Sequence, residues 1–129
     1  MFEFRTSAWF DERVLAELRG YNVPLCWVDG PVSSQLPRHF FPLTGSFAYA
    51  RFHGRNEANW WAKADTPSDE SKHSRYHYRY TNSELEELAV ALAASGASQG
   101  YLLFNNHPVA GAPKNARDLQ AILDRLFGG

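Results

Sequence analysis

Tyr49-Ala50-Arg51-Phe52-His53-Gly54-Arg55-Asn56 is the stretch on which the fold turns. Extended backbone points alternate side chains to opposite faces, so Tyr49, Arg51 and His53 share one face and Ala48, Ala50 and Phe52 the other. The second face is small or apolar and suits packing under helices. The first becomes polar toward the C-terminal end of the strand. Gly54 follows directly, where a left-handed turn lets backbone approach a ligand closely.

The same signature recurs on either side. Short apolar runs predict strands over Met1–Arg5, Leu25–Asp29, Phe47–His53 and Tyr101–Asn105. Glu3 and Arg5 oppose Phe2 and Phe4 in the first. Leu25, Trp27 and Asp29 share a face in the second, as do Tyr101, Leu103 and Asn105 in the fourth. Between them lie amphipathic stretches. Asp11–Gly20 has Ser7 or Asp11 as N-cap and Val14, Leu15 and Leu18 at helical spacing. Ser83–Ala94 carries two capping boxes, Thr81 with Glu84 and Ser83 with Glu86, and places Leu85, Leu88, Ala89 and Leu92 on one side. The last, Lys114–Phe127, is expected to bury Ala116, Leu119, Ile122, Leu123 and Leu126. The Pro-rich connection Gly30–Ser46 has no helical period beyond a short turn near Arg38–Phe41.

Strands alternating with helices predict an α/β fold with a parallel sheet and right-handed crossovers. An open doubly wound sheet would need apolar residues on both faces. A barrel interior that becomes a site at its C-terminal rim fits the mixed face better. The expectation is therefore one partial domain over residues 1–129, half of a TIM-type barrel built from parallel β/α units. Closure takes eight strands and about 250 residues. Four units leave two unpaired edges, so either a homodimer or a missing N-terminal half would complete the barrel.

Composition narrows the function classes. At 129 residues, 44% hydrophobic and 21% charged, the chain can build one real core. A net charge of −1 argues against a broadly basic nucleic-acid surface. No apolar run approaches the roughly 20 residues of a membrane span, and no basic-then-apolar leader opens the chain. Cys26 is the sole cysteine, so no disulfide forms within the chain and a cytoplasmic setting is expected. Cys26 shares the face of Val28 and reads as core, turned away from the rim cluster.

Candidate chemistry gathers at the strand ends. His53 can titrate near neutrality and Arg55 can hold an anion in a bidentate fork. Asn105-Asn106-His107 follows the fourth strand at the same rim, either as loop punctuation or as ligand contacts. Glu3, Arg5, Asp29 and Arg51 are charges in strands that should be buried, so they need partners. One reading is an internal pair such as Glu3 with Arg51; the other is direct contact with a ligand, for which Asp29 and Arg5 are best placed. The long segment Asn56–Tyr80 interleaves Trp60, Trp61, Tyr76, Tyr78 and Tyr80 with basic residues. That suits stacking on bases or sugars, or packing over the barrel mouth. Glu3, Asp29, His53 and His107 could ligate a metal, yet no short ligand spacing supports it, so no metal or cofactor is assigned.

Glu-Phe-Arg at residues 3–5, Leu-Cys-Trp-Val-Asp at 25–29 and Tyr-Ala-Arg-Phe-His-Gly-Arg-Asn at 49–56 occur in order along the chain. Tyr-His-Tyr-Arg-Tyr at 76–80, ahead of Ser-Glu-Leu, and Phe-Asn-Asn-His at 104–107 continue the series. Together they resemble the YecE-like family (domain of unknown function 72), of which the chain matches the C-terminal half. The resemblance implies a TIM-type barrel with this chain supplying strands five to eight, and a family with no established reaction. Its matching polar positions are Arg5, Asp29, Arg51, His53, Arg55, Asn105 and Asn106, with Tyr78 and Trp60 beside them. Met1 falls inside a strand, as if preceding sequence had been cut away.

These readings combine into one expectation. The C-terminal rim of a complete barrel binds an anionic ligand bearing phosphate or sugar. Arg5 and Arg55 hold the anion, His53 and Asp29 carry any catalysis, and Asn105 and Asn106 orient the substrate. Arg51, Asn56, Trp60, Tyr78 and His107 complete the binding set. Hydrolysis or phosphodiester cleavage is the class to expect, by analogy with barrel nucleases. The alternatives are a non-catalytic module that binds nucleic acid or protein, and an inactive truncated fragment.

Overall fold

A computed structural model describes residues 2–3, 9–31, 40–57, 78–106 and 111–128. Four strands, β1 (Phe2–Glu3), β2 (Leu25–Asp29), β3 (Ala48–Phe52) and β4 (Gly100–Phe104), form one sheet in the order β1-β2-β3-β4. Every pairing is parallel. Glu3 lies beside Cys26, Cys26 beside Tyr49, and Tyr49 beside Tyr101. The strand predicted over residues 47–53 thus narrows to Ala48–Phe52, and that over 101–105 shifts by one residue. Arg5 lies outside the described residues.

Local chemistry sets the helix ends. Helix α1 (Glu12–Gly20) starts at Asp11, whose carboxylate accepts the Arg13 N–H at 2.7 Å. Helix α2 (Asn82–Ala94) opens with the reciprocal capping box of Thr81 and Glu84. Helix α3 (Gly111–Phe127) begins three residues before the predicted Lys114, because Pro113 falls in a first turn that needs no backbone donor.

The core lies on one side of the sheet. Leu25, Trp27, Ala48, Ala50 and Phe52 pack against Leu15 and Leu18 of α1, Leu85, Leu88, Ala89 and Leu92 of α2, and Leu119 of α3. Ala48 and Ala50 are buried and small, which lets the helices close on the strands. No helix joins β2 to β3 among the described residues. Instead Phe41 stacks on Trp27 with ring centroids 5.0 Å apart, and the indole N–H donates to Pro42 O at 2.8 Å. Phe40 and Phe41 are not helical, so the helical turn expected there is absent from its described part; Arg38 and His39 lie outside it. Thr44 is buried beside the start of β2. Its hydroxyl accepts the Leu25 N–H at 2.9 Å and donates to Val23 O at 2.8 Å.

Helix α3 corrects one expectation. Ala116 and Leu126 are exposed, and the inward stripe runs through Gly111, Asn115 and Leu119, with Ile122 and Leu123 packed at its edge. The cause is Asn115, whose amide bonds both the N–H and the C=O of Tyr80 at 3.0 Å. Those two bonds fix the rotation of the helix and turn Ala116 outward.

The opposite face of the sheet carries no helix among the described residues. Tyr101 and Leu103 remain 51% and 39% exposed there. No helix of the described residues is long and apolar enough to cross a membrane.

Candidate functional site

The expected rim cluster divides into two groups on opposite sides of the sheet. Period two is the reason: Asp29 shares its face with Leu25 and Trp27, and those are core residues. His53 and Asn105 face the other way, with Arg51 and Glu3.

On the open face, Glu3 from β1 accepts a hydrogen bond from Arg51 of β3, Nη1 to Oε2, at 2.7 Å. The internal ion pair weighed from the sequence is present. Arg51 also donates from Nε to Asn105 Oδ1 at 3.2 Å, tying β3 to the residue after β4. His53 Nε2 lies 3.9 Å from the other Glu3 oxygen, within ionic reach once the ring is protonated. Backbone bonds from His53 N–H to Asp29 O and from Asn105 N–H to Phe52 O hold both residues in line with the strands. The Glu3 hydrogen bond leads the causes that raise the Arg51 pKa, so this guanidinium stays charged. Its side chain is 30% exposed, against 5% for His53.

Cys26 belongs to this side too. It is buried as expected, but its Sγ lies 3.9 Å from Glu3 Oε2, beneath the ion pair rather than away from it. The register explains the placement, since Cys26 is the lateral neighbour of Glu3.

On the helix side, Asp29 accepts a two-pronged bond from Arg55, Nε to Oδ2 and Nη2 to Oδ1, each 2.9 Å. Tyr80 donates its hydroxyl to Asp29 Oδ2 at 2.7 Å and accepts the Gly54 N–H at 2.9 Å. Gly54 has φ +87°, the left-handed conformation anticipated for it. Burial opposes the Arg55 charge, yet the hydrogen bonds and charge of Asp29 outweigh it and raise the pKa. Burial, reinforced by Asp29, likewise lifts the Tyr80 pKa well above its ordinary value.

Glu84 joins this group to α2. One oxygen caps Thr81 N–H at 2.9 Å; the other accepts the Tyr78 hydroxyl at 2.5 Å and lies 3.5 Å from Arg55 Nη1. Burial first, then Glu84, push the Tyr78 pKa up to about 12. Asn106 is fully buried, its amide donating to Tyr78 O at 2.8 Å and Asn115 Oδ1 at 3.0 Å.

Of the anticipated residues, Arg51, His53 and Asn105 therefore meet on the open face, with Glu3. Asp29, Arg55, Tyr78 and Asn106 meet behind the sheet. Asn56 is half-buried just past the Gly54 turn. Arg5, Trp60 and His107 lie outside the described residues. Sequence reasoning saw Glu84 only as a helix cap and assigned Asn115 no role. The Tyr80 hydroxyl gave no local signal, because its partners are 26 and 51 residues away. Among the described residues no three His, Cys, Asp or Glu side chains are grouped to hold a metal ion.

The open-face group combines a part-exposed cation, an amide, and an imidazole beside a carboxylate. That set can bind an anion and move a proton. The helix-side group is internal and holds backbone in place.

Two solved structures resemble the chain along nearly its whole length. A DUF72 family protein from Enterococcus faecalis V583 is 26% identical and superposes with a TM-score of 0.76 over 95% of this chain and 46% of its own. A DUF72 family protein from Thermotoga maritima MSB8 is 28% identical, with a TM-score of 0.69 over 98% of this chain and 45% of its own. The chain thus spans less than half the length of these relatives. No curated protein matches it. The family described as "Protein of unknown function DUF72" matches residues 1–127, and the chain belongs to that family.

Proposed function

We propose that this chain forms strands five to eight of a TIM-type β/α barrel, and that the C-terminal rim of the closed barrel binds an anionic ligand bearing phosphate or sugar. The observation that carries the reading is the meeting of Glu3, Arg51, His53 and Asn105 on the face of a parallel sheet opposite its helices. Ligands of such sheets sit beyond the carboxyl ends of the strands. Arg51 supplies the fixed positive charge and Asn105 orients the bound group. His53 acts as acid or base, with Glu3 stabilising the imidazolium.

Arg55 and Asp29 take a different part from the one their residue types suggest. Their charges answer each other behind the sheet and shape the Gly54 turn that presents His53. Hydrolysis of a phosphate ester or phosphodiester is the reaction class this set suits.

The test is titration of the chain with inorganic phosphate and with a sugar phosphate, following the His53 ring resonances by NMR. Both ligands are expected to shift them. Arg51→Met should weaken binding about tenfold, ~1.4 kcal/mol. Ligands that leave the His53 signals unmoved, or bind Arg51→Met equally well, would sink the assignment.

A further inference from the structure

The pairing of β2 with β3 runs on past Phe52, where the His53 N–H donates to Asp29 O at 3.0 Å. Gly54 comes next with φ +87°, and its own N–H turns to the helix side of the sheet. Gly54 is buried, so that N–H needs an acceptor within the protein. The Tyr80 oxygen supplies it at 2.9 Å while donating its proton to Asp29 Oδ2 at 2.7 Å. The peptide groups on both sides of the His53 Cα therefore lead back to one residue. One reaches the backbone of Asp29 directly; the other reaches its carboxylate through a phenol. Two fixed peptide planes fix φ and ψ at His53, and with them the direction of its Cα–Cβ bond.

The phenol itself has little freedom. Asn115 bonds the Tyr80 N–H and C=O, each at 3.0 Å. Phe52 and Phe104 meet its ring edge-on, with centroids 6.3 and 5.7 Å away. The Arg55 guanidinium lies over the ring, 5.7 Å from its centroid. A hydroxyl on so constrained a ring passes the position of Asp29 on to the turn.

We propose that Tyr80 is a positioning residue for His53: its hydroxyl sets the Gly54 peptide and so aims the imidazole at Glu3. The tyrosine acts from the helix side and touches no ligand. His53 Nε2 stands 3.9 Å from Glu3 Oε1, at the limit of ionic contact, so a small rotation at the Cα decides whether that pair forms. This inference rests on the acid or base role proposed for His53 and adds the residue that aims it.

The test deletes the hydroxyl alone. Tyr80→Phe keeps the ring, its edge-on contacts and its backbone bonds. Thr44→Val is the matched control, because the Thr44 hydroxyl also accepts one N–H at 2.9 Å and donates onward, at the opposite end of β2. In Tyr80→Phe the His53 ring resonances are expected to move, and Gly54 amide exchange to quicken about tenfold for the loss of one buried hydrogen bond. In Thr44→Val the His53 signals are expected to stay in place. His53 signals unmoved in Tyr80→Phe, or displaced equally by both substitutions, would overturn the proposal. Should Tyr80→Phe fail to fold, the unaltered chain decides. A Gly54 amide that exchanges as slowly as those of His53 and Asn105 supports the assignment, and one as fast as exposed loop amides overturns it. Phosphate separates the two readings: a His53 ring that ignores phosphate removes the ligand, whereas one that answers phosphate yet stays still in Tyr80→Phe removes the positioning role.

Discussion

The guanidinium of Arg55 faces the carboxylate of Asp29 behind the sheet, both of its bonds at 2.9 Å and both side chains less than a tenth exposed. Arg55 lies just past β3, and Asp29 closes β2. Their pairing fastens the ends of two neighbouring strands where the Gly54 turn begins.

Removing one member of such a pair leaves the other charge buried. Asp29→Ala is expected to cost about 3–5 kcal/mol, measured as a lower midpoint in urea unfolding. Replacing both, as Asp29→Leu with Arg55→Met, should recover most of that loss. Single and double variants of equal stability would show that the pair contributes only as two separate side chains.

High pH probes the tyrosines. Tyr78 and Tyr80 have folded-state pKa values raised above the ordinary phenol value of about 10, Tyr78 to about 12. A raised pKa means that the folded state keeps protons the unfolded state has lost. These hydroxyls therefore stabilise the fold fully below pH ~10, and their contribution is lost as pH rises through the folded values. Tyr78 and Tyr80 should ionise late in an absorbance titration. Unfolding stability should fall above pH ~10, with a shallower decline in Tyr78→Phe. A titration of the folded protein with no late component lost in Tyr78→Phe would contradict this.

Gly54 has no room for a side chain. A Cβ there would lie 2.6 Å from Tyr78 Cβ, in a backbone conformation that L residues rarely adopt. Gly54→Ala is expected to destabilise by more than ~1 kcal/mol and to shift the His53 ring resonances, since His53 is the preceding residue. An unmoved His53 signal would separate the turn from the open-face group.

Much of this arrangement was legible in the residues. Alternation around Arg51 placed the core face correctly, and Asp11, Thr81 and Glu84 marked their helix starts. The mistaken grouping of Asp29 with His53 came from judging nearness to the rim ahead of facing. Trp27, two residues from Asp29 and plainly a core side chain, already indicated which way that carboxylate points. Asn115 was not legible. Amphipathic spacing favours Ala116, and only the backbone of Tyr80, 35 residues away, makes a buried amide worth more than a methyl group.

A sheet built wholly of parallel neighbours has no hairpin from which to grow. Cys26 must find Tyr49, and Ala50 must find Leu102, across long intervening chain before any ladder exists. Loop entropy is lost ahead of the contacts that compensate it, so folding should be slow beside that of a helical protein of this size. Until the strands meet, their apolar edges stand open to any other chain nearby, and the yield of refolding should fall as protein concentration rises.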